Sequence, residues 1–442
     1  MGPAIRRVIP LALACGLLSG CGIGDWFSET PPAKLPGKRI AILSRTKTLD
    51  VEAATQGDIT LPPAERLSDW PQEGGSPTHL MQHKALAANP QRVWMVNLGE
   101  GGDKRRAYTT QPVVAGDKIF AMDSLSAVTA HRLADGERLW RIDLAPEEAG
   151  AGSFGGGIAY DDGKLYVTTA FAQVVALNAD NGAELWRQAL PAPVRGGPTV
   201  KGSRLVMVTV DNETLALAVE DGHPLWRHSG ISESAALVGA PSVAIEGNTV
   251  LAPYSSGELF ALRLENGTVE WSEVLASIKR TDQVAELTDI RGLPVVDRGR
   301  VYAVGNSDVF AAIDLRTGRR IWDKDVGGTQ TPWVAGDYIY LLTNTPEIAC
   351  FEARTGHVRW VRPLPVWEDE AEKAGRITWT GPVLAGDRLI VTSSLGALMS
   401  VSPLTGEIQR EEELPDAVTI LPVISGNTMI LLTENGDLIA YR

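Results

Sequence analysis

The stretch Val174-Val-Ala-Leu-Asn-Ala-Asp-Asn-Gly-Ala-Glu-Leu-Trp186 decides the fold, because the chain keeps rewriting it. Phe310-Ala-Ala-Ile-Asp-Leu-Arg-Thr-Gly-Arg-Arg-Ile-Trp322 is the same text, and Ala127 to Trp140 is another copy. Tryptophan stands at Trp94, Trp140, Trp186, Trp226, Trp271, Trp322 and Trp360, and each of the last six follows a glycine by four residues. Gly406 begins a further copy in which Arg410 takes the tryptophan's place. A period near 45 residues is the mark of stacked supersecondary units.

Within one unit, short apolar runs alternate with polar residues and are separated by turn residues, as at Ala115-Gly-Asp117 and Ala134-Asp-Gly136. That is a succession of short strands. About four strands in 45 residues is one propeller blade. Pro198, Pro241, Pro294, Pro332, Pro382 and Pro422 open the first strands, where a missing N–H costs nothing. The final copy, Gly436-Asp-Leu-Ile-Ala-Tyr-Arg442, stops before its turn and tryptophan, and Arg92-Val-Trp94-Met-Val-Asn-Leu98 near the start supplies what is missing. The reading is therefore all-β: an eight-bladed β-propeller of four-stranded antiparallel blades, closed by pairing of the N- and C-terminal strands. Six or seven blades is the alternative if one copy is degenerate. The seven tryptophans are read as packing between blades, and the glycines as positive-φ turn positions between third and fourth strands.

The net charge of −13, with no basic stretch, excludes nucleic acid as a partner. Arg6 and Arg7 precede an apolar run, Val8 to Leu18, too short to span a bilayer. Residues 1–20 thus read as a signal peptide. Leu18-Ser-Gly-Cys21 resembles a lipobox, which implies a lipid-carrying (palmitate-type) Cys21 as the first mature residue, with Gly22 after it pointing to the outer membrane. Residues 21–65 are expected to be a weakly ordered tether, with Arg39 to Ser44 as a short strand, and 66–442 the propeller. Only Cys350 then remains as a thiol, so no internal disulfide is available.

Catalytic patterns are sparse. His79 and His83 stand four apart but lack the glutamate and helix of a metalloprotease motif, and are expected in turns or at the surface. His131, His223 and His357 fall in or near repeat turns. No nucleophile elbow occurs, and Gly155-Gly-Gly157 precedes a strand rather than a helix. No catalytic residue, metal site or cofactor is expected.

The unit Ala-Leu-x-x-x-x-Gly-x-x-x-Trp resembles the tryptophan-docking repeat of the quinoprotein-like (PQQ-repeat) propellers, and Asp69-Trp-Pro-Gln-Glu-Gly-Gly-Ser-Pro-Thr-His79 is similar to an opening motif of that superfamily. With a lipobox and a single bare propeller, the chain resembles the BamB family of outer membrane assembly lipoproteins over about residues 69–442. The resemblance implies a non-catalytic scaffold of the β-barrel assembly (BAM) complex. Its implied partners are the periplasmic POTRA domains of BamA, other BAM subunits, nascent outer membrane proteins, and the membrane through the lipid anchor. The docking loops it implies map to residues 232–238 and 283–291, with Leu237 as apolar contact, Asp289 as acid, and Arg291 where the family has a second acid, a charge swap between partners. Two alternatives stay open: a PQQ-dependent dehydrogenase, which would need a Cys-Cys pair and calcium ligands not seen here, and a periplasmic polymer-binding propeller.

Overall fold

The computed structural model describes residues 49–52, 57–102, 108, 110–146, 155–194, 196–233, 241–276 and 288–442. Its strands form eight four-stranded antiparallel sheets and one small extra hairpin, Trp367–Asp369 with Ala374–Arg376. Blade 1 runs from Val113 to Asp143, blade 2 from Gly156 to Ala189, and blade 3 from Thr199 to Ser229. Blade 4 spans Ala244 to Val274, blade 5 Val295 to Lys324, blade 6 Trp333 to Pro363, and blade 7 Trp379 to Glu413. Blade 8 joins Val423–Ser425, Thr428–Leu432 and Asp437–Tyr441 to Arg92–Asn97, the strand expected to close the ring. Met95 pairs with Ile439 and Val96 with Leu438. Gln91 and Arg442 exchange both backbone hydrogen bonds at 2.6 and 2.9 Å, so the two chain ends finish as a ladder rung.

The first strand of each blade is innermost, the first strands of successive blades lying side by side around the axis. The fourth strand is the outer edge. Middle strands are apolar and buried on both faces, as in Leu205–Val208 and Ile339–Leu342, because each blade is sandwiched by its neighbours. The outer strands show exposed and half-buried residues instead, with the tryptophan at the half-buried place.

Each tryptophan sits opposite a small residue of its own third strand: Ala130 to Trp140, Ala176 to Trp186, Ala216 to Trp226, Ala261 to Trp271, Ala312 to Trp322, Ala440 to Trp94. In blade 6 that small residue is Cys350, opposite Trp360, so the one cysteine among the described residues is a buried packing group. A bulge falls beside every one of these pairs, leaving one outer-strand residue unpaired and bending the edge. The exposed Val93, Leu139, Leu185, Leu225 and Ile321 are these bulge residues.

The repeat unit in sequence is not the packing unit in space. The indole of one blade docks on the glycine of the next. A Cβ added to Gly182 would lie 2.8 Å from the Trp140 ring, one on Gly222 2.6 Å from Trp186, and one on Gly406 2.6 Å from Trp360. These glycines have φ between +71° and +77°, so two constraints exclude a side chain there. Each indole N–H donates to a backbone carbonyl of the same neighbouring turn: Trp140 to Ala179 at 3.1 Å, Trp226 to Leu264 at 2.9 Å, Trp271 to Leu315 at 2.8 Å, Trp94 to Leu133 at 3.2 Å. Arg410 is the exception because blade 8 has no such turn. Its third and fourth strands are the two ends of the propeller's chain, and Arg410 bonds Asn89 Oδ1 at 2.8 Å instead.

Residues 70–86 lie mostly buried or half-buried against the inner strands, with 67–69 exposed where the segment enters. The expectation of surface places for His79 and His83 is corrected here: they are 4 % and 2 % exposed, while His79 does close a turn, its N–H donating to Ser76 O at 3.0 Å. Their signal in the sequence was local turn chemistry, whereas their burial comes from the surrounding blades. Residues 49–52 and 57–65 of the expected tether also make defined contacts. Glu52 N–H donates to Val358 O at 3.1 Å, and its carboxylate meets Lys324. The expected strand at 39–44, Cys21 and the signal segment lie outside the described residues.

Candidate docking face

Antiparallel order fixes two faces. The turns between second and third strands and the connections from blade to blade lie on one; the other turns lie on the opposite face. Both loops expected to dock a partner are connections of the first kind, from blade 3 to blade 4 and from blade 4 to blade 5. Their bases can be followed residue by residue.

Asn212, at the blade 3 turn, has φ +59° and is 3 % exposed. Its amide N–H donates to Ile231 O at 2.6 Å, and its Oδ1 accepts from the backbone N–H and the hydroxyl of Ser255, in the blade 4 turn, at 3.0 and 3.1 Å. Glu258 Oε2 accepts from Ile231 N–H at 2.9 Å. Thr288 Oγ1 donates to Ser255 O at 3.3 Å, and Asn306 N–H of blade 5 donates to Asp289 O at 2.9 Å. Asn344 of blade 6 continues the line, donating to Asn306 O at 2.8 Å. The Asn212 and Asn344 amides, the Thr288 hydroxyl and the Asn306–Asp289 backbone bond thus tie four consecutive blades along this face, at the described ends of both loops.

Beneath it, Tyr254 is fully buried, with its hydroxyl 2.7 Å from Thr214 Oγ1 and 3.0 Å from His228 Nδ1. Burial pushes the Tyr254 phenol up and the His228 imidazole down, so both stay neutral near pH 7 and act as packing and hydrogen-bonding groups.

The expected contact residues fall unevenly. Leu237 lies outside the described residues. Asp289 is 3 % exposed, so its side chain shapes the loop from within instead of offering a carboxylate to solvent. Arg291 is half-buried, its guanidinium pulled below the usual range by burial and opposed by the nearby charges of Asp289 and Glu73. The structure therefore gathers Asp289 and Arg291 with Glu73, from a segment more than 200 residues away. Sequence reading missed Ile231. It is 59 % exposed while both of its backbone polar groups are held. An isoleucine two residues past the outer strand of blade 3, where the repeat pattern ends, was the available signal.

Among the described residues, no three His, Cys, Asp or Glu side chains group as a metal site. A shallow cavity of about 790 Å³ lies elsewhere, on the flank of blades 4 and 5, lined by Arg263, Glu270, Arg298 and Arg316. Two of its arginines are already paired, Arg263 with Glu270 and Arg298 with Asp297 and Asp337.

Eight blades, a Trp-to-Gly dock at seven of the eight interfaces and a closing N-terminal strand define a propeller of the PQQ-like repeat class. The model of one family, described as outer membrane protein assembly factor BamB, matches residues 124–362, more than half of the chain. The chain belongs to the BamB family. It is 24 % identical over 375 residues to the BamB of Burkholderia pseudomallei, covering 83 % of this chain and 91 % of that one. To the BamB of Moranella endobia it is 22 % identical, covering 79 % and 89 %. An uncharacterized protein of Rickettsia conorii is 28 % identical over 60 % of this chain and 64 % of its own length. Among solved structures, BamB from Moraxella catarrhalis superposes with a TM-score of 0.67 at 19 % identity, covering 80 % of this chain and 99 % of that one. A quinohemoprotein alcohol dehydrogenase from Comamonas testosteroni shares the fold, with a TM-score of 0.65 at 14 % identity over 86 % and 81 %.

Proposed function

We propose that this chain is a non-catalytic scaffold of an outer membrane β-barrel assembly machine, held at the periplasmic side of the outer membrane by lipid on Cys21. It docks the POTRA domains of a BamA-type partner on the face that carries the 232–238 and 283–291 loops. Relatives named as outer membrane assembly factors support the setting. The observation that carries the docking reading is the exposed Ile231 on a base riveted by Asn212, Ser255 and Thr288. An apolar anchor on a pre-ordered base binds with little ordering cost. Asp289 and Arg291 hold the second loop in place from beneath, and Leu237 adds an apolar contact from the first.

The test is co-purification of the full-length protein with its BamA-type partner. Ile231→Asp is expected to abolish it with an unchanged melting temperature. Full retention by that variant and by Leu237→Asp would place the interface elsewhere on the ring. The alternative of a dehydrogenase is met by adding quinone and calcium and measuring dye-linked oxidation, for which no activity is expected.

A further inference from the structure

Residues 67–87 make one complete circuit of the axial channel and bond to the blades in ring order. Leu67 O accepts from Gly426 N–H of blade 8. Trp70 exchanges both backbone hydrogen bonds with Val114 of blade 1, at 2.8 and 2.9 Å, and is fully buried. Pro71 O accepts from Tyr160 N–H of blade 2 at 2.6 Å, and Gln72 Oε1 from Val200 N–H of blade 3 at 3.1 Å. Glu73 Oε2 bridges two blades, accepting from Gly197 N–H at 2.9 Å and Ser242 Oγ–H at 2.6 Å. Pro77 O takes Ile245 N–H of blade 4, and Thr78 O takes Val296 N–H of blade 5. His79 Nδ1 donates to Pro294 O of the same blade at 2.8 Å. In blade 6, Gln82 accepts from Trp333 Nε1–H at 2.8 Å and Gly336 N–H at 2.9 Å. Lys84 and blade 7 exchange bonds through Leu384 O and Gly386 N–H at 3.0 and 2.9 Å.

We infer that the axial channel is a built peptide-binding site, and that this chain fills it with its own residues 67–87. The ligand class is a turn-containing segment read chiefly through its backbone carbonyls and amide side chains, with one tryptophan anchor. The inner strands leave their N–H groups facing the axis, and in a ring these have no further strand to pair with. A chain crossing them in sequence satisfies them. Trp70 supplies the apolar anchor, and Gly74 and Gly75, at φ +68° and +76°, give the bend around it. A Cβ on Gly75 would stand 2.3 Å from Met81. Residues 67–87 are consequently held by all eight blades and not through the closing strand alone.

The test uses the full chain with a specific protease site placed at the exposed Ala88-Asn89, between the axial segment and the closing strand Arg92–Asn97. After cleavage of the folded protein, the N-terminal fragment is expected to co-elute with the ring in gel filtration, with the melting temperature little changed. Adding Trp70→Ala is expected to release that fragment, whereas Glu73→Gln, which keeps an acceptor oxygen for Gly197 and Ser242, retains it. Release of the unmutated fragment on cleavage, with or without unfolding of the ring, overturns the inference. So does retention of the Trp70→Ala fragment as tightly as the parent. Neither outcome depends on partner docking.

Discussion

The indole of Trp94 lies on the α-carbon of Gly136, and its N–H donates to Leu133 O at 3.2 Å. The two residues belong to the last and first blades. The same contact that stacks blades 1 to 7 on one another therefore also closes the ring between blades 8 and 1.

Gly136→Ala is expected to lower stability by about 1–3 kcal/mol. A Cβ would meet the Trp94 ring at 2.8 Å, and φ is +77°. A melting curve checks it. Gly116→Ala is the comparison, because its φ is +60° but nothing lies within 4 Å of the added carbon, so it isolates the backbone part.

Arg410→Trp, which restores the repeat consensus, is expected not to stabilise the protein. Arg410 faces Asn89 and Glu412, not a glycine turn. Trp360→Arg, the reverse change where the dock exists, is expected to cost about 3–5 kcal/mol, the order for removing a buried tryptophan. Denaturant melts of the two variants should differ by that margin.

Deleting residues 436–442 removes the fully buried Leu438, Ile439 and Ala440 and the partner of Arg92–Asn97. At about 1.5–3 kcal/mol for each large buried side chain, the ring is expected to lose about 5 kcal/mol or more. An unchanged melting temperature would contradict closure by these strands.

His79 gives a pH signature. Burial lowers its imidazole to about 4, while the unfolded chain titrates near 6.5. Below the unfolded value the unfolded state binds a proton that the folded state refuses, so stability falls as pH drops from about 6.5 to 4, by roughly 3 kcal/mol in full. Stability measured against pH should show that slope. His79→Asn, which tolerates the φ of +58°, should flatten it.

Lys84 gives the opposite end. Burial holds its ammonium down to about 8, with Glu65 opposing. The unfolded chain keeps that proton to about 10.4, so stability is expected to rise between about pH 8 and 10. Lys84→Met should remove the rise, read from the same curves.

The sequence by itself determined the blade class, the strand order within a blade and the closing strand, because each rests on local periodicity and turn chemistry that the copies repeat; it pointed to eight blades, and the eight four-stranded sheets decided against six or seven. It also marked Arg410 as the exception, without the reason. The reason is tertiary: docking joins the tryptophan of one blade to the glycine of the next, and the next blade there is made from two distant ends of the chain. The docking face was legible only as two loops. Asp289 reads as a surface acid in Leu287-Thr-Asp-Ile290, yet the turns of blades 4 and 5 close over it. His79 and His83 read as turn residues, yet eight inner strands enclose them. No local pattern records such burial: for Asp289 it comes from the turns of the two flanking blades, and for His79 and His83 from groups more than 200 residues away that converge only when the ring closes.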